Sequence, residues 1–575
     1  MLSFFEFASE HRILDILIKE RVKVALNGRL ENISPVTIAR KAENAVSLSV
    51  KEQISLLMPP RDSWCRPSKR ERDSMRQDEG KRTNTIKKQL LARSIAITIA
   101  KHRKSGDEYK YLRYLDEFIA SIRRDIVSDN PLKFSSIKII GKKKSVNSDN
   151  VIILRPLCLF ESLREKLLIA LASRYLSEVF DPFLHSEIIS YRPPRVYHES
   201  ESKVITTRDH AIENIQAYRR SHKNIYVAEC DIQKYFDTIN HDVIRRCFRE
   251  FAERVRGVHS DFDYSAVSRI VDAYLDSYSF YNNVLHENDH LLKASPPRAY
   301  EGPKDELFIK RGCYTEEEFI KSKAKIGIPQ GGALSGLISN VVLNTIDRES
   351  VLNRPDPNLF FCRYGDDIML MHTSRKRCEE LIANYCRALS ESKLLYHDFV
   401  SVADDSIRRP DGTIRTAFWD LKSRSPFLWG RSDDEVEKVD WIGFLGYEIR
   451  YTGEVRIRRS SLNDKFRGIK RKYKRCVDSV FAKGKKRLKR NETVESEILR
   501  HIDKFVGEGF ANAKSLNCNK YSLTQARKLD RYTGHWMFKM IYKMVRRNGL
   551  AKCDAVRLWT EVKKRGCLNY TKTIK

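Results

Sequence analysis

The sequence predicts an α+β protein, a catalytic body of mixed strands and helices with helical extensions on both sides. Three observations predict it. Over residues 225–449, short apolar runs of strand length alternate with apolar residues at helical spacing, which argues for a layered body rather than a bundle. Residues 1–135 carry helical spacing, as in Ile13, Ile16 and Leu17, in Leu90, Ile95, Ile97 and Ile99, and in Tyr111, Leu115, Phe118, Ile119 and Ile122. After residue 450 the chain turns at Thr452-Gly453 and runs into a basic segment that reads as helix.

The 575 residues suit three or four packed units, at about 150 residues each. A hydrophobic share of 41% is that of a globular protein, neither disordered nor fibrous. Lys and Arg number 107 against 76 Asp and Glu, a net charge of +31. An excess that large favours a polyanionic partner, nucleic acid before anionic lipid. The longest apolar stretches, such as residues 95–100 and 341–346, fall far short of the roughly 20 residues that cross a bilayer. The start, Met1-Leu2-Ser3-Phe4-Phe5-Glu6, has neither a basic leader nor a long apolar core. The expectation is a cytoplasmic protein with no signal peptide and no membrane partner. The 12 cysteines follow no zinc spacing and read as reduced core residues.

Each element follows from local pattern. Residues 1–135 form the N-terminal extension, with a charged linker expected near 58–82, opened by Pro59-Pro60. Ile137, Ile139 and Ile140, then Lys142-Lys143-Lys144, then residues 151–154 predict a β-hairpin with a basic turn at the lysines. A helix over 162–180 follows, with Leu167, Leu168, Leu171, Tyr175 and Val179 on one face. Near the other end, Lys465, Arg467, Lys470, Arg471, Lys472, Lys474 and Arg475 share a helix, followed by Lys485, Lys486, Arg487, Lys489 and Arg490. With almost no acid between them, a phosphate-contacting surface through Lys465, Lys470, Arg471 and Lys474 is favoured over a solvated face.

Three segments carry chemistry. Phe361 to Leu370 places Asp366 and Asp367 between two apolar runs, so Gly365 and the aspartates fall at a hairpin turn. Two adjacent carboxylates are costly unless water or a cation neutralises them. Tyr226-Val227-Ala228-Glu229-Cys230-Asp231 reads as a strand ending at a carboxylate, and Asn240 caps a helix that buries Val243, Ile244, Cys247, Phe248 and Phe251. Carboxylates on two neighbouring strand ends can hold two Mg²⁺ ions about 3.5 to 4 Å apart, the arrangement that phosphoryl transfer uses. Pro329-Gln330-Gly331-Gly332 precedes a helix carrying Ile338, Val341, Val342, Thr345 and Ile346, which lets backbone and ligand approach closely.

Taken in order, Asp231 to Asp237, Pro329-Gln330-Gly331 through Ser335 and Asn340, Tyr364-Gly365-Asp366-Asp367, and Phe444-Leu445-Gly446-Tyr447 resemble a reverse transcriptase over roughly residues 137–458. The resemblance implies a right-hand polymerase fold: fingers over 136–223, palm over 224–450 with an insertion near 249–325, and a thumb with a basic helical C-terminal region over 451–575. It implies an RNA template, deoxynucleotide substrates and a DNA product. It makes Asp231, Asp366 and Asp367 the catalytic residues and, with the Ile232 backbone, the holders of two Mg²⁺ ions. Arg155, Phe236, Gln330, Gly331, Tyr364 and Gly365 would meet the nucleotide, with Phe236 the gate against a 2′-hydroxyl and Lys142–Lys144 companions of Arg155. Phe444 to Tyr447 would grip the primer.

The sequence departs from the family pattern. Leu395-Tyr396-His397-Asp398-Phe399 lacks the lysine found at the matching place, and Lys422 is the substitute proton donor. Gly336 stands where many relatives have proline, and Gly365 where bacterial relatives carry alanine. The long insertion and helical ends resemble the bacterial group associated with phage defence and abortive infection, in which a dedicated noncoding RNA is a possible template. Three other readings stay open: an RNA-dependent RNA polymerase, a template-independent DNA polymerase, and a nonenzymatic RNA-binding scaffold. Phe236 argues against the first and the clustered aspartates against the last.

Overall fold

The structure is a computed structural model that describes residues 2–26, 48–77, 83–135, 137–192, 195–196, 203–204, 208–402, 407–408, 414–415, 418, 422–431, 438–481, 496, 499, 523–547 and 549–564. The chain divides into two compact units. The first comprises residues 1–207, 228–370 and 376–425, and the second residues 208–227, 371–375 and 426–575.

The first unit opens on helices. α1 (Glu10–Leu26), α2 (Thr83–Ser105) and α3 (Lys110–Val127) bury the stripes that the spacing marks, among them Ile13, Leu17, Ile95, Ile99, Leu115 and Ile122. The expected linker contains a helix, Lys69–Gln77. Ser68 and Glu71 cap it reciprocally, and Cys65 donates from its amide to Thr98 Oγ1 at 2.8 Å, tying the stretch to α2.

β1 (Lys138–Val146) and β2 (Ile152–Leu159) form the expected hairpin, but its turn is not at the lysines. Lys142 and Lys143 pair across to Arg155 and Leu154, and the register shifts between Lys143 and Ser145. The reversal falls at residues 147–150, where Asn147 Oδ1 accepts from the amides of Asp149 and Val151 and Asn150 takes φ +59°. An Asx side chain bonded to backbone two residues on makes a turn that lysine cannot. α4 (Leu163–Phe180) follows with Ser162 as its cap and buries Leu167, Leu168, Leu171, Tyr175 and Val179.

The central sheet positions the site. β3 (Ile225–Asp231) buries Ile225, Val227, Ala228 and Cys230, and Asp231 is its last residue. Asn240 caps α5 (His241–Val258), accepting from the amides of Asp242 and Val243, and α5 buries the five apolar residues expected of it. α5 runs to Val258, into the segment near 249–325 that the sequence singles out. That segment contributes β4 (Arg298–Tyr300), which pairs parallel with β2 and extends the hairpin into a three-stranded sheet. α6 (Ser335–Ser350) is buried on nearly every side and packs against α5. β5 (Leu359–Tyr364) and β6 (Asp367–His372) form the hairpin around Gly365 and Asp366. The strand order is β7 (Ser423–Trp429), β3, β6, β5, and the charge of Asp231 reaches Asp366 and Asp367, which puts the Asp231 end of β3 beside the Asp367 end of β6.

In the second unit, the hairpin β8 (Trp441–Phe444) and β9 (Tyr447–Arg450) turns through Leu445 and Gly446, at φ +52° and +86°. β10 (Val455–Ile457) adds a third strand. The helix Arg208–Ser221 holds the far turn of this sheet: Gln216 Nε2 donates to the Gly453 carbonyl at 2.8 Å and Arg219 Nε to that of Tyr451 at 3.0 Å. α7 (Arg459–Phe481), α8 (Leu523–Arg547) and α9 (Lys552–Lys564) share a core of Leu462, Ile469, Met537, Met540, Ile541 and Leu558. Gln525 of α8 bonds both the amide and the carbonyl of Ile457. The basic run 485–490 lies outside the described residues.

Candidate active site

Asp231 is fixed by its backbone before its carboxylate is considered. Its amide donates to Ser423 Oγ at 3.2 Å on β7, and its carbonyl accepts from the His397 amide at 3.1 Å. The next residues are clamped by the same segment: Ile232 bridges Tyr396, and the Gln233 amide donates to the Leu395 carbonyl at 2.7 Å. The segment that departs from the family pattern therefore forms the rail on which the carboxylate sits. Asp231 Oδ2 lies 2.6 Å from Lys422 Nζ and 3.3 Å from His397 Nε2. The structure thus brings Lys422 and His397 to one oxygen of Asp231. Sequence reasoning singled out the lysine and missed the histidine.

Asp366 and Asp367 stand on the neighbouring turn, within reach of the Asp231 charge. Burial raises the Asp366 carboxyl, and so does the charge of Asp231, against Lys422 and Arg155. Although its side chain reaches solvent, Asp367 is pushed up to about 6 by desolvation within the turn and then by Asp366 and Asp231. Burial and Lys422 lower the His397 imidazole, against the pull of Asp231. Among the described residues no three His, Cys, Asp or Glu side chains are closed up as a metal cage. The carboxylates are close enough to feel one another without meeting at a common point, since Asp231 turns Oδ2 toward Lys422. An all-oxygen donor set carrying mutually unfavourable negative charge still suits a hard divalent cation.

The turn that carries Asp366 is held from beneath. Gly365 has φ +70°, a conformation glycine adopts without strain. Its amide donates to Ser190 Oγ at 2.6 Å, and its carbonyl accepts from Arg363 NH1 at 3.2 Å. Arg363 is fully buried and paired through Nε with the equally buried Asp347 of α6 at 2.7 Å. Tyr191 is a second residue the sequence did not mark. It takes φ +55°, stays 58% exposed, and lays its ring on Gly336 and Gly365. A Cβ at Gly336 would come within 2.9 Å of the Tyr191 ring. Tyr191 thus accounts for Gly336, whereas Gly365 is required by its own φ, a Cβ there standing 3.7 Å from the ring.

The remaining residues surround this centre. Arg155 is exposed on β2 opposite Lys142, and its charge reaches both Asp366 and Asp237. Phe236 is only half-buried, and its carbonyl accepts from the Ile328 amide at 2.8 Å. The Gln330 side chain donates to Asp237 Oδ1 at 2.7 Å, and Gly331 follows at φ +89°. Burial raises Asp237 to about 6 despite that bond. Lys234, at φ +46°, reaches the carbonyls of Glu301 and Gly302, so residues 301–302 support the loop after Asp231. Tyr364 is half-buried beside the turn.

In the second unit, Phe444 and Tyr447 are buried, and Leu445 and Gly446 form the hairpin tip, with the Gly446 carbonyl accepting from the Arg458 amide at 2.9 Å. On α7, Lys470, Arg471 and Lys474 are exposed and Lys465 is half-buried.

Comparison with known proteins bears on this geometry. A family model described as reverse transcriptase (RNA-dependent DNA polymerase) matches residues 269–398, a span that holds Gln330, Gly331 and the Asp366–Asp367 turn. A search of the curated proteins gives no match. Among solved structures, the chain is similar to apo telomerase from Candida tropicalis truncated from its C-terminal domain, at 9% identity and TM-score 0.32, covering 58% of this chain and 56% of that one. It is similar to telomerase from Candida albicans in complex with a telomeric RNA fragment, at 12% identity and TM-score 0.30, covering 75% and 64%. It is also similar to the BmCPV RNA-dependent RNA polymerase, at 9% identity and TM-score 0.32, covering 59% and 23%. The chain thus spans 56% and 64% of the length of the two telomerases. The matched segment and the sheet that brings Asp231 beside it agree: the chain has the right-hand polymerase fold, and its residues 269–398 match the reverse transcriptase family model.

Proposed function

We propose that the chain adds deoxynucleotides to a 3′-hydroxyl on an RNA template, with Asp231, Asp366 and Asp367 holding two Mg²⁺ ions. The observation that carries this reading is the placement of three carboxylates on two neighbouring strand ends, where the charge of Asp231 raises both Asp366 and Asp367 and that of Asp366 raises Asp367. Bound divalent cations supply charge neutralisation for the triphosphate and the attacking oxygen. Arg155, with Lys144 in the same field, faces the acidic end and meets the incoming phosphates. The 3′-oxygen attacks the α-phosphorus and loses its proton, while pyrophosphate leaves and takes one up. Lys422, beside Asp231, is the ammonium placed to give that proton. The Leu445-Gly446 tip grips the primer, and Lys465, Lys470, Arg471 and Lys474 contact duplex phosphates. The added segment and helical ends support a role in bacterial antiviral defence in the cytoplasm, with a noncoding RNA as template.

Incubating the purified chain with a primed RNA template, Mg²⁺ and each nucleotide set tests the reading. Incorporation of deoxynucleotides is expected, and incorporation of ribonucleotides alone overturns it. Sugar choice is assigned to Phe236, whose half-buried ring leaves a face available where a core phenylalanine would not. Phe236→Ala and Phe236→Val should raise ribonucleotide use relative to deoxynucleotide by roughly tenfold or more, through lost exclusion of the 2′-hydroxyl. Variants that lose overall activity but keep the wild-type sugar ratio would make the ring structural.

A further inference from the structure

The stretch Tyr396-His397-Asp398 is held from two directions. On one, the Asp231 carbonyl accepts from the His397 amide, Ile232 bridges Tyr396, and Gln233 Nε2 donates to the Tyr396 carbonyl at 3.1 Å. On the other, residues 305–326 supply side chains. Leu395 is fully buried in a cluster with Phe308, Tyr314 and Phe319, and Cys313 Sγ donates to the Leu394 carbonyl at 3.7 Å. The Arg311 guanidinium lies 4.1 Å from the centre of the Tyr396 ring and pairs through NH2 with Asp398. Arg311 thereby holds both neighbours of His397, whose Nε2 stands 3.3 Å from Asp231 Oδ2. Its two contacts are unequal. The Asp398 side chain is 83% exposed, where screening leaves an ion pair little, whereas that of Arg311 is only 22% exposed and its guanidinium is shielded by the ring it covers. The ring contact is therefore the one that sets the position of the segment.

We infer that Arg311 is a positioning residue for the metal-holding end of β3: by stacking on Tyr396 it fixes the segment that carries His397, and through that segment the direction of the Asp231 carboxylate. The inference rests on the reading of Asp231, Asp366 and Asp367 as a metal site and adds what aims one of the three. It gives residues 305–326 a task at that site beyond packing, because Asp231, Ile232 and Gln233 are bonded to the same stretch that Arg311 and the buried cluster anchor.

In the test, Mn²⁺ is titrated into the purified full chain and bound metal is read by electron paramagnetic resonance, the site being defined by the Mn²⁺ that Asp231→Asn releases. Arg311→Ala should weaken that binding by roughly tenfold, the scale on which an outer support of a metal ligand acts. Tyr396→Leu should do the same, and the double variant should bind no more weakly than the weaker single, because both changes remove one contact. Asp398→Asn should cost less than either. Phe319→Leu loosens the cluster where it meets Phe308 and Tyr314, so it should lower the melting temperature while Mn²⁺ binding stays at the wild-type level. Nucleotide addition by Arg311→Ala should fall more at limiting than at saturating Mg²⁺. Unchanged Mn²⁺ binding in Arg311→Ala, losses that add in the double variant, or an equal loss in Phe319→Leu overturns the inference. A wild type from which Asp231→Asn releases no Mn²⁺ overturns the metal-site reading and the inference with it, a failure told apart from the others before any Arg311 variant is made.

Discussion

Asp231→Asn and Asp366→Asn should each reduce nucleotide addition by roughly a thousandfold or more. The magnitude follows from losing on the order of 4 kcal/mol of transition-state stabilisation when one charged group at a phosphoryl-transfer centre becomes neutral. Asparagine keeps the volume, and Asp231 is anchored through its backbone to Ser423 and His397, so the strand end should not move. Primer–template binding should stay within a few-fold of wild type, and activity near wild type in either variant ends the two-metal assignment. The same site sets a pH limit. Without metal, burial and its neighbours push Asp367 up to about 6, so at limiting Mg²⁺ protons compete with cations as the pH is lowered through that value, and activity should fall there and be restored by more Mg²⁺. For stability the sign is opposite. A carboxyl whose folded pKa lies above its unfolded one favours the fold at low pH and disfavours it as pH rises through the folded value. Asp367→Asn should therefore raise the melting temperature of metal-free protein at pH 8 and change it little at pH 4. A variant that melts lower at pH 8 would show that the turn needs the charge.

Much of this centre is legible in the sequence because strand ends and helix caps leave local marks. Asp231 closes an apolar run, Asp366 and Asp367 sit at a glycine between two such runs, and Asn240 and Ser162 precede helical spacing by one residue. What sequence pattern misses lies where distant segments meet. Ser190 and Tyr191 hold the turn that carries Asp366 from a loop far earlier in the chain, and nothing periodic marks them. His397 stands two residues after the buried Leu395 in a segment singled out for what it lacks, yet its amide and ring both reach Asp231. Two departures from expectation do have local signals. Ser68-Lys69-Arg70-Glu71 is a capping box that announces the helix inside the expected linker. Asn147 to Asn150 holds better turn residues than the three lysines before it, which continue the strand instead of ending it.

Arg363→Ala should destabilise the protein by about 3–5 kcal/mol, the cost of leaving one member of a buried ion pair without its partner. Both side chains are fully buried, and burial holds the Asp347 carboxyl up at about 6 even with the guanidinium beside it. Removing Arg363 takes away the counter-charge and also the donor to the Gly365 carbonyl at 3.2 Å. These two losses can be separated. Replacing both partners with apolar residues of similar volume, as in Arg363→Met with Asp347→Leu, removes the stranded charge and should recover most of the lost stability. It cannot restore the bond to Gly365, so the turn carrying Asp366 stays untethered on that side. The double variant is therefore expected to fold with near wild-type denaturant midpoint yet to add nucleotides at least about tenfold more slowly, as sub-ångström misplacement of a catalytic group does. A single variant that loses less than about 1 kcal/mol would show that water reaches the pair. A double variant with full activity would show that Ser190 alone, through the Gly365 amide, is enough to hold the turn that carries Asp366.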